Sequence, residues 1–348
     1  MIFWSVLIIM VGLLVKRHPD KNVVSKIGTW GVLAIVILLS VFRFDVGFDY
    51  PYYFKSVEWP PNFSSLSRIE EGSRLFFDFT LWSRWPPLLF VLFGVPTYVL
   101  TFYTLERYTP DFKMAVLVYF AFFYSISLGP IRQGLALAIV LYGYKYLKDY
   151  CLWKYLIICA IAYIFHHSAV VAVLFPFIYR HFNIKLCLIA ILGISIGFGA
   201  ISYLSLETIG LGNYTHYLDS MDKYKGGGII MYIYPAIILM MIFLYVRLKK
   251  TLPEKNLFYI VAIGSVMPFV LGSHLGLRVA SYFNIYLLIL IPAILNNYKT
   301  VYRLFTYNLL VLYFIFFMYI ASNNPIKPIY TPYKTVFEIN IEHPHFKK

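Results

Sequence analysis

Residues 155–179 read YLIICAIAYIFHHSAVVAVLFPFIY, an apolar run interrupted only by His166, His167 and Ser168. Its length is that of one tilted membrane helix, but the flanking loops exclude that solution. Both 145–154 (KYLKDYCLWK) and 180–185 (RHFNIK) are short and basic, and such loops stay on the cytoplasmic side of a membrane. A single helix would put 180–185 outside and invert every later loop, sending the basic 247–255 (RLKKTLPEK) out as well. The charges agree only if the run bends into two short helices, in and back out, with the HHS triplet at the turn. An arm of about eleven residues rises only about 16 Å, so the tip lies at mid-membrane or somewhat beyond. Non-helical backbone at that depth must be buried in protein or line a watery cavity.

The same alternation extends over the whole chain. Apolar runs at 2–15, 26–42, 87–105, 114–128, 131–147, 186–204, 229–246, 257–271, 279–295 and 304–320 are separated by short, mostly basic loops or by turns. They are continuous rather than alternating with period two, so they are helices and not barrel strands. With 60% hydrophobic and 13% charged residues among 348, the expected fold is all-α. It is a polytopic integral membrane protein of about 11–12 transmembrane segments, with the broken pair at 155–179, in one membrane domain over 1–348. Two larger loops face outside, 43–86 and 205–228, and a proline-rich tail, 321–348, extends over that outer face. Within the first loop, 64–79 has a helix-compatible pattern suited to the membrane surface. The first run has no basic residues before it and no small-residue cleavage site after it, so it is expected to be a retained span. The net charge of +14 resides in loop lysines and arginines, which orient the chain and meet lipid headgroups. Membrane lipids, and not nucleic acid, are the expected polyanionic neighbours. Cys151, Cys159 and Cys187 have the spacing of neither a disulfide framework nor a metal site, and no metal or cofactor is expected.

Three arginines break the charge pattern. Arg43, Arg132 and Arg278 each stand at the outer end of a span, beside apolar sequence, where the orientation rule disfavours them. A guanidinium offers a planar fork of donors matched to phosphate or carboxylate oxygens; the alternative is that each snorkels to headgroups or caps a neighbouring helix. No acid lies inside an apolar run, which removes the buried carboxylate that an ion-coupled carrier uses. Eleven of the sixteen acids fall on the outer side, Glu70 among them, and solvation of an exposed loop accounts for nearly all. Asp49 and Tyr50 sit with Arg43 in RFDVGFDYPYY, where a carboxylate and phenols could meet sugar hydroxyls. His166 and His167 have three readings: a structural histidine bonded across helices, a phosphate partner, or a general base taking a proton from an attacking sugar hydroxyl. His216 and His274 lie on outer loops and carry no such case.

Five short elements recur in a recognisable order: R-x-D-x-G-x-D-Y at 43–50, RQ-x-x-A at 132–136, H-x-S-A at 166–169, R-x-x-x-Y at 278–282 and PYK at 332–334. Together they resemble the EpsG/Wzy-type polysaccharide (O-antigen) polymerase family, over most of the chain. The first element departs from the family's usual form, Phe48 standing between the glycine and Asp49. The resemblance implies a bacterial inner-membrane glycosyltransferase acting on lipid-linked sugars. Its substrates would be oligosaccharide repeat units on undecaprenyl pyrophosphate, joined on the periplasmic face in O-antigen, capsule or exopolysaccharide synthesis, without metal or cofactor. A chain-length regulator is a candidate partner. On that reading Arg132 and Arg278 hold the pyrophosphate with Arg43 nearby. His166 is the base, with His167 or Asp49 as alternates, and Gln133, Tyr50 and Tyr282 orient the substrate. An O-antigen ligase would use the same donor and stands second. A flippase or transporter stands third, lacking buried acids and a visible repeat. A membrane-bound acyltransferase, which also uses an intramembrane histidine, is a minor further alternative.

Overall fold

Every apolar run that falls on described residues is helical in the computed structural model, which describes residues 1–58, 69–203, 254–271, 275–323 and 329–338, with the single positions 240, 243 and 247. The second outer loop at 205–228, most of the run at 229–246, His216 and His274 lie outside the described residues. From the N-terminus, α1 (Ile2–Leu14) and α2 (Val23–Val41) lead into a short strand, β1 (Arg43–Phe44). The first outer loop holds α3 (Tyr50–Glu58) and α4 (Glu71–Ser83). There follow α5 (Leu88–Tyr108), α6 (Phe112–Phe122), α7 (Tyr124–Leu128), α8 (Ile131–Tyr142), α9 (Tyr144–Lys148), α10 (Leu152–Phe165), α11 (Phe175–His181) and α12 (Ile184–Tyr203). The chain ends with α13 (Lys255–Leu271), α14 (Leu277–Asn284), α15 (Leu287–Leu295), α16 (Thr300–Ser322) and β2 (Lys334–Thr335).

Among the described residues, α2, α5 and α16 are each long and apolar enough to cross a membrane, and α14 with α15, bent by 46°, are so when taken together. The remaining runs form shorter apolar helices, or helix pairs interrupted at Phe123 and Gly143. Leu13, Val24, Ile27, Phe305 and Leu312 stand exposed on α1, α2 and α16, a surface that suits lipid and not water. The protein is a multi-pass membrane protein.

The turn expected within 155–179 is present. Helix α10 runs to Phe165, and the His166 N–H still donates to Ala162 O at 3.0 Å. Tighter three-ten turns carry the chain over His167–Leu174, and α11 then begins with Pro176 in its first turn. Proline has no N–H to continue a helical ladder and fits only there. Beyond it the Tyr179 ring lies 5.8 Å from that of Tyr150, and the Arg180 guanidinium 5.7 Å from the same Tyr150 ring. One uninterrupted helix would separate residues 150 and 179 by about 43 Å. The run therefore folds back on itself, as the loop charges require.

The chain forms two compact units, one of residues 1–142, 161–167 and 291–348, the other of 143–160 and 168–290. In the first, α5 packs on α8, α2 and α4, and α16 packs on α6 and α1. In the second, α13 packs on α14, α12 and α11, and the Tyr144 hydroxyl donates to Glu254 Oε2 at 2.7 Å.

The tail is held down more firmly than its prolines suggest. Strand β2 pairs antiparallel with β1, Arg43 opposite Thr335 and Phe44 opposite Lys334. Trp4 Nε1 donates to Tyr330 O at 2.7 Å, Tyr333 OH donates to Leu39 O at 2.7 Å, and the Tyr333 ring stacks on Phe3 at 3.7 Å. In the first outer loop, the helix expected over 64–79 is described from Glu71 and continues to Ser83, positions 59–68 lying outside the described residues.

Candidate active site

Helix α4 begins at Glu71, with Glu70 in the capping position, yet the Glu70 carboxylate caps nothing in its own helix. Two residues on, Gly72 brings α4 against the end of α10. A Cβ at Gly72 would sit 2.9 Å from Ile164 O, so only glycine allows this approach. The approach lets Ser73 Oγ donate to Phe165 O at 2.7 Å. It also lets the Glu70 carboxylate accept from the His167 backbone N–H at 3.4 Å. A broken helix leaves backbone groups without partners, and here two of them are met by side chains from α4 and the residue before it. The break is thereby enclosed by protein.

The same carboxylate gathers the chemistry. Glu70 Oε1 lies 2.8 Å from His166 Nδ1, and Glu70 Oε2 forms an ion pair with Arg132 Nη1. Arg132 stands in the first turn of α8, and its Nε donates to Tyr53 OH at 3.4 Å. The Glu70 side chain is 6% exposed, that of His166 13% and that of Arg132 18%, so the carboxylate is enclosed while imidazole and guanidinium are partly exposed. Burial alone would raise the Glu70 pKa. The hydrogen bond from His166 and the charge of Arg132 outweigh it and hold the carboxyl down at about 2. Glu70 thus remains an anion at any working pH. An anion on Nδ1 fixes that nitrogen as the donor, the arrangement by which a carboxylate orients a catalytic imidazole.

Arg43 has a different setting. Its Nε donates to Val46 O at 2.9 Å, Nη2 to Leu128 O at 2.7 Å and Nη1 to Ser40 O. The residue is 2% exposed. Gly47, at a φ of 108°, lies so close to Leu128 O that no side chain fits, and its N–H donates to Ile329 O at 2.9 Å. The R-x-D-x-G block thus ties three segments together through backbone carbonyls. Arg43 serves that purpose here rather than facing a substrate.

The other expected residues are dispersed. The Tyr50 ring is 1% exposed and stacked on Phe90 at 4.3 Å, and it is Tyr53, one turn further along α3, that meets Arg132. Asp49 is half-buried and its carbonyl accepts from Tyr53 N–H at 3.1 Å, at the start of α3. Gln133 is buried beside Arg132 in α8. The His167 ring stacks on Tyr163 at 4.7 Å, so only its backbone meets Glu70. In the second unit, Arg278 is half-buried in the first turn of α14, and buried Tyr282 accepts a hydrogen bond from Ser168 Oγ at 3.3 Å. Glu70 and Tyr53 were not singled out by sequence. No sequence signal separates Glu70 from its neighbour, since two acids, Glu70 and Glu71, precede the Gly72-Ser73 pair in that outer loop. Among the described residues, no three His, Cys, Asp or Glu side chains converge as a metal site would require.

No curated protein and no solved structure matches the chain significantly. The family model described as "EpsG family" matches residues 30–335, from within α2 to the second residue of β2. That span takes in both paired strands, the buried Arg43 lock, the fold-back and the Arg132–Glu70–His166 cluster. The chain is a member of the EpsG family.

Proposed function

We propose that this protein polymerises oligosaccharide repeat units carried on undecaprenyl pyrophosphate, at the periplasmic face of the bacterial inner membrane. Membership of the EpsG family supports a polysaccharide-polymerase role in general. The observation that carries the finer reading is one enclosed carboxylate holding both His166 Nδ1, at 2.8 Å, and Arg132.

In this reaction an acceptor sugar hydroxyl attacks the anomeric carbon of the growing chain. A new C–O bond forms, and the bond from that carbon to the pyrophosphate oxygen breaks. His166 Nε2 takes the hydroxyl proton, and Glu70 stabilises the imidazolium that results. Negative charge develops on the departing lipid pyrophosphate, where a fixed guanidinium acts most strongly. Among the described residues Arg132 directs Nη1 to Glu70 and Nε to Tyr53, which leaves the Nη2 edge for phosphate oxygens. Arg278 is proposed as a further phosphate contact and Tyr282 as a sugar contact. Gln133 and Asp49 are proposed to orient the acceptor.

The test is reconstitution in lipid vesicles with lipid-linked repeat units and electrophoresis of the products. The wild type is expected to give a ladder of chain lengths, whereas Arg132→Ala and His166→Ala leave single units. Full ladders from both variants would refute the assignment. In cells, loss of a polymerase leaves single repeat units on the lipid core, while loss of a ligase leaves none, so the phenotype separates the two activities.

A further inference from the structure

Far from His166 in the sequence, three basic loops converge at one end of the first unit. The Phe112 N–H donates to Arg17 O at 3.0 Å, Arg17 Nη2 donates to Asn296 Oδ1, and the Tyr307 hydroxyl donates to Asp111 Oδ2 at 2.6 Å. These contacts join 16–22 and 106–113 to Asn296 and Tyr307, which flank the loop 298–303, and the orientation rule assigns all three loops to the cytoplasm. Between them lies a cavity of about 280 Å³ lined by Lys16, Arg17, Lys113, Arg303, Tyr307 and the aliphatic Leu13, Val15 and Leu304, with Thr300 completing the wall.

Four cations face this cavity, and the acid beside it is already engaged. Asp111 has a side chain 1% exposed; its Oδ1 caps α6 by accepting from Met114 N–H at 3.0 Å, while Oδ2 meets Arg17 Nε at 3.0 Å and the Tyr307 hydroxyl. The neighbouring acids Asp20 and Glu106 both approach Lys26, outside the cavity wall. His18, the next residue along the loop, is held below its ordinary pKa first by burial and then by the charges of Arg17 and Lys21, and four cations against one engaged acid leave an excess of positive charge. Such an excess beside the lipid-facing ends of α1 and α16 is costly without a counter-anion.

We propose that this cavity binds an anionic membrane phospholipid, its phosphodiester held by Lys16, Arg17, Lys113 and Arg303 and its acyl chains laid along Leu13, Val15 and Leu304. A basic pocket between helix ends on the cytoplasmic side is a recognised setting for anionic headgroups, and the aliphatic wall favours a lipid over a soluble phosphate. The site is separate from the polymerase reading and does not depend on it.

The experiment is native mass spectrometry of the purified full chain, released from micelles doped with dioleoylphosphatidylglycerol or dioleoylphosphatidylcholine. The wild type is expected to retain the anionic lipid and not the zwitterionic one. Lys16→Gln with Arg303→Gln removes two cations while leaving the Arg17–Asp111 pair intact. At about fivefold per cation, retention falls roughly twenty-five-fold, with an unchanged elution volume on size exclusion. Should the double variant fail to fold, Lys16→Gln alone tests the point with a fall of about fivefold. Equal retention of both lipids, undiminished retention by the variants, or displacement of the lipid by millimolar inorganic phosphate would each overturn the proposal.

Discussion

Arg43 and Arg132 both stand beside apolar helices at ends that the loop charges assign to the outside, and protein acceptors hold both. Arg43 is enclosed by three backbone carbonyls, those of Ser40, Val46 and Leu128, and is 2% exposed. Arg132 is paired with a carboxylate and a phenol, and its side chain is 18% exposed. A guanidinium whose three nitrogens all meet carbonyls cannot turn to a ligand without leaving buried acceptors unpaired. One fixed by a carboxylate along one edge is oriented and still has donors to offer. The same residue type therefore serves as a lock in one place and as a candidate phosphate contact in the other.

The largest effect should come from breaking the lock. Arg43→Met leaves three buried carbonyls without donors, at about 1–3 kcal/mol each, and is expected to abolish accumulation of folded protein in the membrane. Arg43→Lys should not restore it, because an ammonium lacks the planar fork; immunoblots of membrane fractions check both. Next in size, Arg132→Ala and His166→Gln each leave Glu70 one of its two side-chain partners and should still reach the membrane, though less stable, while lowering polymer formation by about 10²–10⁴-fold, read from product ladders normalised to protein in the membrane. If Arg132→Ala fails to accumulate as Arg43→Met does, the distinction between the two arginines collapses.

Glu70 supplies a sharper and smaller test. Its folded-state pKa of about 2 lies below the ordinary 4.5. Its contribution to stability is therefore complete above about pH 4.5 and is lost as pH falls toward 2. Thermal unfolding of wild type and Glu70→Gln should differ most above pH 5 and converge as the solution is acidified toward pH 3. A constant difference over that range would show that the carboxylate is not held as the ion pair implies. The smallest effect is expected for Ser73→Ala, which removes one hydrogen bond to Phe165 O and costs about 1 kcal/mol by chemical denaturation, with polymer formation retained.

Much of the architecture was legible because charge and hydropathy act locally. Basic loops on both sides of 155–179 were enough to require a fold-back, and Tyr179 does return to Tyr150. The helix break at the histidines is met by Ser73 and Glu70, and Pro176, ten residues on, opens α11 in the turn where its missing N–H is tolerated. Glu70 was not legible. In a loop that also carries Arg68, Glu71 and Arg74, nothing in the sequence marks one acid as enclosed. Its importance arises from Gly72 and Ser73 docking on the end of α10, a contact across more than ninety positions. The purpose of Arg43 was hidden for a related reason, since its acceptors are backbone carbonyls, which every residue type carries alike.

The sequence by itself determined that this chain spans a membrane and where one apolar run must turn back, and its short elements resembled the EpsG family to which it belongs. These follow from the transfer energies of single residues and from charge asymmetry, both readable position by position. Only the tertiary structure decided that β2 closes on β1, that Arg43 locks the loop between them, and that one carboxylate joins His166 to Arg132. Each of those depends on segments distant along the chain meeting within hydrogen-bonding distance, where a few tenths of an ångström separate a bond from none.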